Sequence, residues 1–200
     1  TAACASIPTS GPVHSVDALG AAEEYQSVRV LPRPPVPGSS AVDVVAGFLA
    51  ASASFENDHA VTRSFLTPEA AASWDAAAGV TVYDSSAPTS VELIGQGASV
   101  VGFTADRVLG RISSRGDYAP AAEDRRIRQV FTLERLDGQW RIADPPDGLM
   151  LSSNDVQRAF RAVNVYFPDP AGEVLVPDTR YLPALRPTVR TRLVESLLAG

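Results

Sequence analysis

Arg126-Ile-Arg-Gln-Val-Phe-Thr-Leu-Glu-Arg-Leu-Asp-Gly-Gln-Trp-Arg-Ile-Ala143 carries the clearest pattern in the chain. Ile127, Gln129, Phe131 and Leu133 alternate with Arg126, Arg128, Thr132 and Glu134. That is the period-two pattern of a strand with one dry face and one wet face. Asp137-Gly138 favours the left-handed backbone of a tight hairpin turn, so residues 139–143 should return beside the first strand.

Working upstream, residues 80–84, 91–94, 99–103 and 107–112 show the same short-strand pattern, the last two as one long strand or a bent pair. A turn at Arg115-Gly-Asp-Tyr118 follows them. Before Gly79 the period is helical. Ser39 or Ser40 caps a helix, with Asp43 at capping-box spacing from Ser40, and Val42, Val45, Phe48, Leu49, Ser52 and Phe55 form one stripe. A second short helix covers 58–65, with Val61, Phe65 and Leu66 inward. Thr67-Pro68-Glu69 starts a third: an N-cap hydroxyl, a proline at the first helical position and an acid at the positive dipole end. This helix carries Trp74 and ends near Gly79. Helices followed by antiparallel strands make an α+β order, with three helices packed on a curved antiparallel sheet whose other face is wet.

Downstream, Asp144-Pro-Pro-Asp-Gly148 breaks regular structure and marks the domain boundary. Ser153 caps a turn running to Phe160, residues 161–167 and 173–176 pair around Asp169-Pro-Ala-Gly172, and residues 188–199 form an amphipathic helix. Two strands and a helix bury too little surface to stand alone. Either these elements lean on the first domain or they are the truncated start of a second α+β domain, and the second is the expectation. The expected organisation is a tail and stalk over 1–38, an α+β domain over 39–146 and this partial domain over 147–200.

Composition narrows the function. The chain has 200 residues, 45% of them hydrophobic, enough for a buried core. All 17 basic residues are arginine and the net charge is −6. Without a basic block, nucleic acid is excluded as an expected partner. No apolar run reaches the roughly 18 residues a membrane span needs. His14 and His59 are the only histidines and have no cysteine at zinc-ligand spacing, so neither a metal nor any other cofactor is expected.

The tail reads Thr1-Ala-Ala-Cys4-Ala-Ser-Ile-Pro-Thr-Ser-Gly-Pro12, with Cys4 the sole cysteine. Small residues before it match the end of a lipoprotein cleavage box. A cysteine set among turn formers suits a thioether-linked diacylglycerol better than burial in a core. Leu31-Pro-Arg-Pro-Pro-Val-Pro37 should be extended polyproline II. As a stalk, about 35 residues reach at most roughly 110–120 Å.

Four phrases carry a resemblance: Cys4-Ala-Ser-Ile-Pro-Thr-Ser-Gly-Pro-Val13, Val30-Leu-Pro-Arg-Pro-Pro-Val-Pro-Gly38, Trp140-Arg-Ile-Ala-Asp-Pro-Pro-Asp-Gly148 and Val165-Tyr-Phe-Pro-Asp-Pro-Ala-Gly172. Together they resemble the LpqB-type lipoproteins of actinobacteria. The resemblance implies a lipid-anchored, extracytoplasmic accessory protein at the cell membrane. It also implies a membrane-proximal domain like nuclear transport factor two, then a germination-type (GerMN) domain and a β-propeller-like region. Its implied partner is the extracellular domain of an Mtr-type two-component sensor histidine kinase. The helix order and the phrase from Phe65 to Trp74 are similar to the cone of the transport-factor fold.

Within such a cone, Trp74, Tyr83, Phe103, Phe131 and Trp140 either line a small-ligand pocket or fill the core, and Tyr83, Asp84 and Asp106 are the acid–base candidates. His59 is expected at a solvated helix start. Arg126, Arg128, Arg135 and Arg141 form either a protein-docking strand face or a solvated face of cross-strand ion pairs. The expected function is a non-enzymatic modulator of the kinase, acting in envelope or division signalling. The rival is a ligand-binding or catalytic cone domain.

Overall fold

A computed structural model describes residues 32–95, 97–168 and 174–184. Cys4, His14, the tail, the turn at 169–172 and the helix expected at 188–199 lie outside the described residues. Residues 32–36 form neither helix nor strand, as their prolines require.

Helix α1 (Ala41–Ala51) starts at the expected capping box. The Ser40 hydroxyl accepts the Asp43 N–H at 3.2 Å, and the Asp43 carboxylate accepts the Ser40 N–H at 3.2 Å. The helix buries Val44, Val45, Phe48 and Leu49. Ser52 is tolerated in the same stripe because its hydroxyl donates to the Phe48 carbonyl at 2.8 Å.

The second helix is shorter than expected. A 3-10 turn (Glu56–His59) precedes α2 (Ala60–Arg63). Asn57, Asp58 and His59 all have positive φ, at 47°, 54° and 58°. Such a run is uncommon, since Cβ crowds the carbonyl in the left-handed region.

Helix α3 (Pro68–Ser73) is capped by Thr67, whose hydroxyl accepts the Ala70 N–H at 3.2 Å. It stops at Ser73 instead of running toward Gly79. Trp74 turns extended, with ψ 121°. Its indole N–H donates to the Pro146 carbonyl at 2.9 Å, and the Asp75 N–H donates to Asp147 Oδ1 at 3.0 Å. Tertiary bonds thus replace the next helical turn.

The strands are β1 (Val80–Tyr83), β2 (Thr89–Leu93), β3 (Val100–Ala105), β4 (Val108–Ile112), β5 (Tyr118–Pro120), β6 (Ile127–Leu136), β7 (Gln139–Asp144) and β8 (Leu149–Ser152). The fold is α+β, but these strands form two four-stranded sheets rather than one. One sheet runs β2-β3-β6-β7 and the other β5-β4-β1-β8. The chain from Val100 to Ile112 breaks at Asp106-Arg107, so β3 and β4 join different sheets. The hairpin of β6 and β7 forms around Asp137-Gly138 as expected. Phe131 and Leu133 point into the core while Arg128, Val130, Thr132 and Glu134 are exposed.

The break at Asp144–Gly148 does not interrupt the core. Strand β8 follows it and pairs in parallel with β1, Val80 opposite Leu149. Gly148 has φ +80°, and a Cβ there would lie 2.6 Å from the Gly79 carbonyl oxygen. Only glycine permits that crossing. Leu149, Met150 and Leu151 are buried in the same cluster as Phe48, Trp74, Phe131 and Ile142.

Helix α4 (Ser153–Ala159) is capped by Ser152, one residue before the expected cap, with the Asp155 N–H donating to its hydroxyl at 3.1 Å. Strands β9 (Phe160–Pro168) and β10 (Leu175–Pro183) pair antiparallel. This hairpin leans on the two-sheet body. The Phe160 ring meets Phe55 edge-on at 5.3 Å, and the Tyr181 N–H donates to the Gly116 carbonyl at 2.8 Å. Among the described residues, no helix is long and apolar enough to cross a membrane.

Candidate functional site

Where the hairpin leans on the body it leaves a cavity of about 470 Å³. One wall is the left-handed turn and α2, with Phe55, His59 and Arg63. A second is the loop from β4 to β5, residues 113–116. The third is the end of β10, with Tyr181, Leu182 and Pro183, and Leu149 and Phe160 add to the apolar lining. This volume suits a small molecule, and junctions between units are where such sites commonly form.

The walls are held by specific bonds. Arg63 donates to the Ala71 carbonyl at 2.6 Å and the Trp74 carbonyl at 3.2 Å, and pairs with Asp58 at 3.3 Å. Its guanidinium also lies 5.3 Å over the Trp74 ring, so it acts as a brace. His59, expected in solvent, is 2% exposed. Its ring lies 4.8 Å from Phe55 and 5.9 Å from Trp74. The left-handed backbone swings it inward, which no helical pattern anticipates.

The five aromatic residues expected to line a pocket do not gather around this cavity. Trp74, Phe103 and Phe131 are core, each at most 3% exposed. Phe48 packs between Trp74 and Phe131, with ring centroids 5.4 and 5.9 Å away. Tyr83 is half-buried and edge-on to Phe103 at 5.4 Å. Burial raises its phenol pKa, and the Asp155 carboxylate adds to the rise. Trp140 is half-buried near the end of the β6–β7 hairpin, under the Arg135 guanidinium at 4.7 Å.

Of the acid candidates, Asp84 accepts the Ser86 hydroxyl at 2.7 Å and N–H at 2.8 Å. Those bonds, with Arg107 at 3.3 Å, hold its carboxyl below the ordinary range. Asp106 sits 3.8 Å from Arg126. Neither lines the cavity.

The four arginines do not share one face. Arg128 lies on the exposed side of β6, and Arg141 stands opposite Glu134 on that side. Arg135 pairs across with Trp140, on the other side of the ribbon. Alternation along β6 separates Arg128 from Arg135. Arg126 precedes the strand.

Sequence reasoning missed Phe55, the 113–116 loop and the end of β10 as one site. The only local signal was the Arg115-Gly-Asp turn; the rest depends on long-range packing. Among the described residues, no group of three or more His, Cys, Asp or Glu side chains is placed to hold a metal ion.

Comparison with known proteins adds a lineage. The sequence model of the family described as "Lipoprotein LpqB, N-terminal domain" matches residues 34–157. The chain is 37% identical over 181 residues to a protein named Lipoprotein LpqB from Cutibacterium acnes, covering 90% of this chain and 29% of that protein. It is 34% identical over 207 residues to the like-named protein of Thermobifida fusca, covering 100% and 33%. With that of Mycobacterium bovis it is 34% identical over 201 residues, again covering 100% and 33%. The chain therefore spans about a third of the length of these relatives. No solved structure matches it.

Proposed function

The chain belongs to the LpqB lipoprotein family through its N-terminal domain, and from that premise we propose that it is a non-enzymatic binding module anchored to the outer face of the cell membrane. In this reading the protein is exported on a signal peptide and Cys4 carries a diacylglycerol. The domain works beside a two-component sensor histidine kinase of the Mtr type, binding its extracellular region and so acting on envelope or division signalling.

The observation that carries this reading is the family match over residues 34–157, whose relatives are named as lipoproteins. Physical chemistry supplies the rest. Tethering two proteins to one membrane raises their effective concentration, so a weak interface suffices. Two acyl chains give stable anchoring where one gives only marginal binding. The α+β order, with helices first, supports a transport-factor-like domain. The β9–β10 hairpin is the start of the GerMN-like unit in the same reading.

The test is capture of the kinase's extracellular domain by this chain in supported bilayers, against the same chain carrying Cys4→Ala in solution. Capture by the acylated form, strongly reduced for the untethered one, is expected. No capture by either removes the partner. A second reading, a small-ligand receptor, is favoured by one observation, the 470 Å³ cavity under the hairpin. Ligand recovered with the native protein and released on unfolding would support it.

A further inference from the structure

A second groove, of about 450 Å³, opens on the other side of the Gly79–Leu149 crossing, lined by both sheets. Its apolar floor includes Val108, Ile127, Leu149 and Met150, and its rim carries Arg111, Arg125 and Arg126. In a chain of net charge −6, three guanidinium groups on one groove are a local reversal of sign.

Their compensation is slight. Arg111 donates to the Ala78 carbonyl at 3.1 Å, which pins it at the mouth without neutralising it. Among the described residues Arg126 pairs with Asp106 alone, at 3.8 Å, and its side chain stays 75% exposed. Among the described residues, the Arg125 guanidinium makes no ion pair or hydrogen bond. Its backbone is fixed, with the Val108 N–H donating to its carbonyl at 2.7 Å. Among the described residues, Asp147 is the acid that lines the groove, and its Oδ1 already accepts the Asp75 N–H. Glu123 and Asp124 adjoin Arg125 in sequence but do not line the groove.

We infer that this groove binds a phosphate group carried on an apolar body, chemistry shared by an anionic phospholipid and a soluble phosphate ester. Arginine forks match phosphate oxygens two at a time, and guanidinium is more weakly hydrated than ammonium. The apolar floor takes the ester's hydrocarbon. The inference does not depend on the kinase partnership.

The test uses residues 1–200 with Cys4→Ser, so that no anchor contributes. It is titrated with inorganic phosphate while arginine side-chain N–H resonances are followed. Separately it is sedimented with vesicles of phosphatidylcholine alone or with a third phosphatidylglycerol. Saturable phosphate shifts at Arg111, Arg125 and Arg126 are expected. Retention on the anionic vesicles should fall about fivefold for each of Arg111→Gln, Arg125→Gln and Arg126→Gln, and stay unchanged for Arg128→Gln, which lies outside the groove. Three separate single variants keep the test valid if one of them fails to fold. Phosphate binding without vesicle retention points to the soluble ester and supports the site. Absence of both, or vesicle retention indifferent to all three substitutions, overturns it.

Discussion

Arg180 of β10 ion-pairs with Asp117, which lies between β4 and β5 and 63 residues earlier in the chain. The same guanidinium also reaches Asp178, at 2.5 Å. The pair is the polar clasp between hairpin and body, beside the Gly116–Tyr181 backbone bond and the ring contact of Tyr118 with Tyr181 at 5.6 Å. Arg180→Gln should weaken docking by about 2 kcal/mol, the usual cost of losing a charged hydrogen bond. Amide exchange should rise across β9 and β10 and stay unchanged in α1 and β6.

The clasp has a pH dependence of definite sign. The Ser113 hydroxyl, donating at 2.6 Å, holds the Asp117 carboxyl below its ordinary value, helped by Arg180 and Arg115 and opposed by burial. Ser113 and Arg115 share a loop with Asp117, so the part of the lowering that belongs to docking is Arg180's, and it stabilises the docked form fully above the ordinary carboxyl pKa of about 3.9. That contribution is lost as pH falls through the folded value. Hairpin protection, taken relative to the intrinsic exchange rate at each pH, should therefore fall on acidification below about pH 4. Asp117→Asn should flatten that dependence; an unchanged profile in this variant would assign the titration elsewhere.

Trp74 ties the helices to the strand end that precedes β8. It is 3% exposed and bonds Pro146 across 72 residues of chain. Trp74→Ala should cost about 3–5 kcal/mol in urea unfolding, from lost burial and the cavity left behind. Trp74→Phe keeps the packing against Phe48 but leaves the Pro146 carbonyl without its donor, for about 1–3 kcal/mol. Equal losses for the two variants would show that the hydrogen bond carries the whole effect.

Much of the body could be read from local pattern. Ser40 and Asp43, Thr67 and Pro68, and Asp137-Gly138 are signals complete within a few residues, and each stands where it was expected. What local pattern could not supply is pairing at a distance. Nothing in Leu149-Met-Leu-Ser152 says that its neighbour is β1, more than sixty residues back, so a proline-rich break looked like the end of the fold. The bend at Asp106-Arg107 likewise hid that β3 and β4 serve different sheets. His59 was misplaced because helical periodicity assumes right-handed backbone, and the turn before α2 is left-handed. The cavity under the hairpin draws its walls from three distant segments and has no sequence signature.

That left-handed turn gives its own prediction. Asn57 has φ 47° and ψ 46°, a conformation glycine adopts without Cβ strain. Asn57→Gly should be neutral to stabilising, by up to about 1 kcal/mol, whereas a β-branched Asn57→Val should cost about 1–3 kcal/mol. Thermal unfolding of the two variants checks this. Equal effects would mean that the turn relaxes to a right-handed form.

Attachment through Cys4 is what makes the proposed role possible. Intact mass of the protein isolated from its native host, together with its distribution between membrane and aqueous fractions, tests it most directly. A diacylglycerol-sized addition on Cys4 and recovery with the membrane are expected, with Cys4→Ala shifting the protein to the aqueous phase. An unmodified Cys4 thiol on a wholly aqueous protein would contradict it.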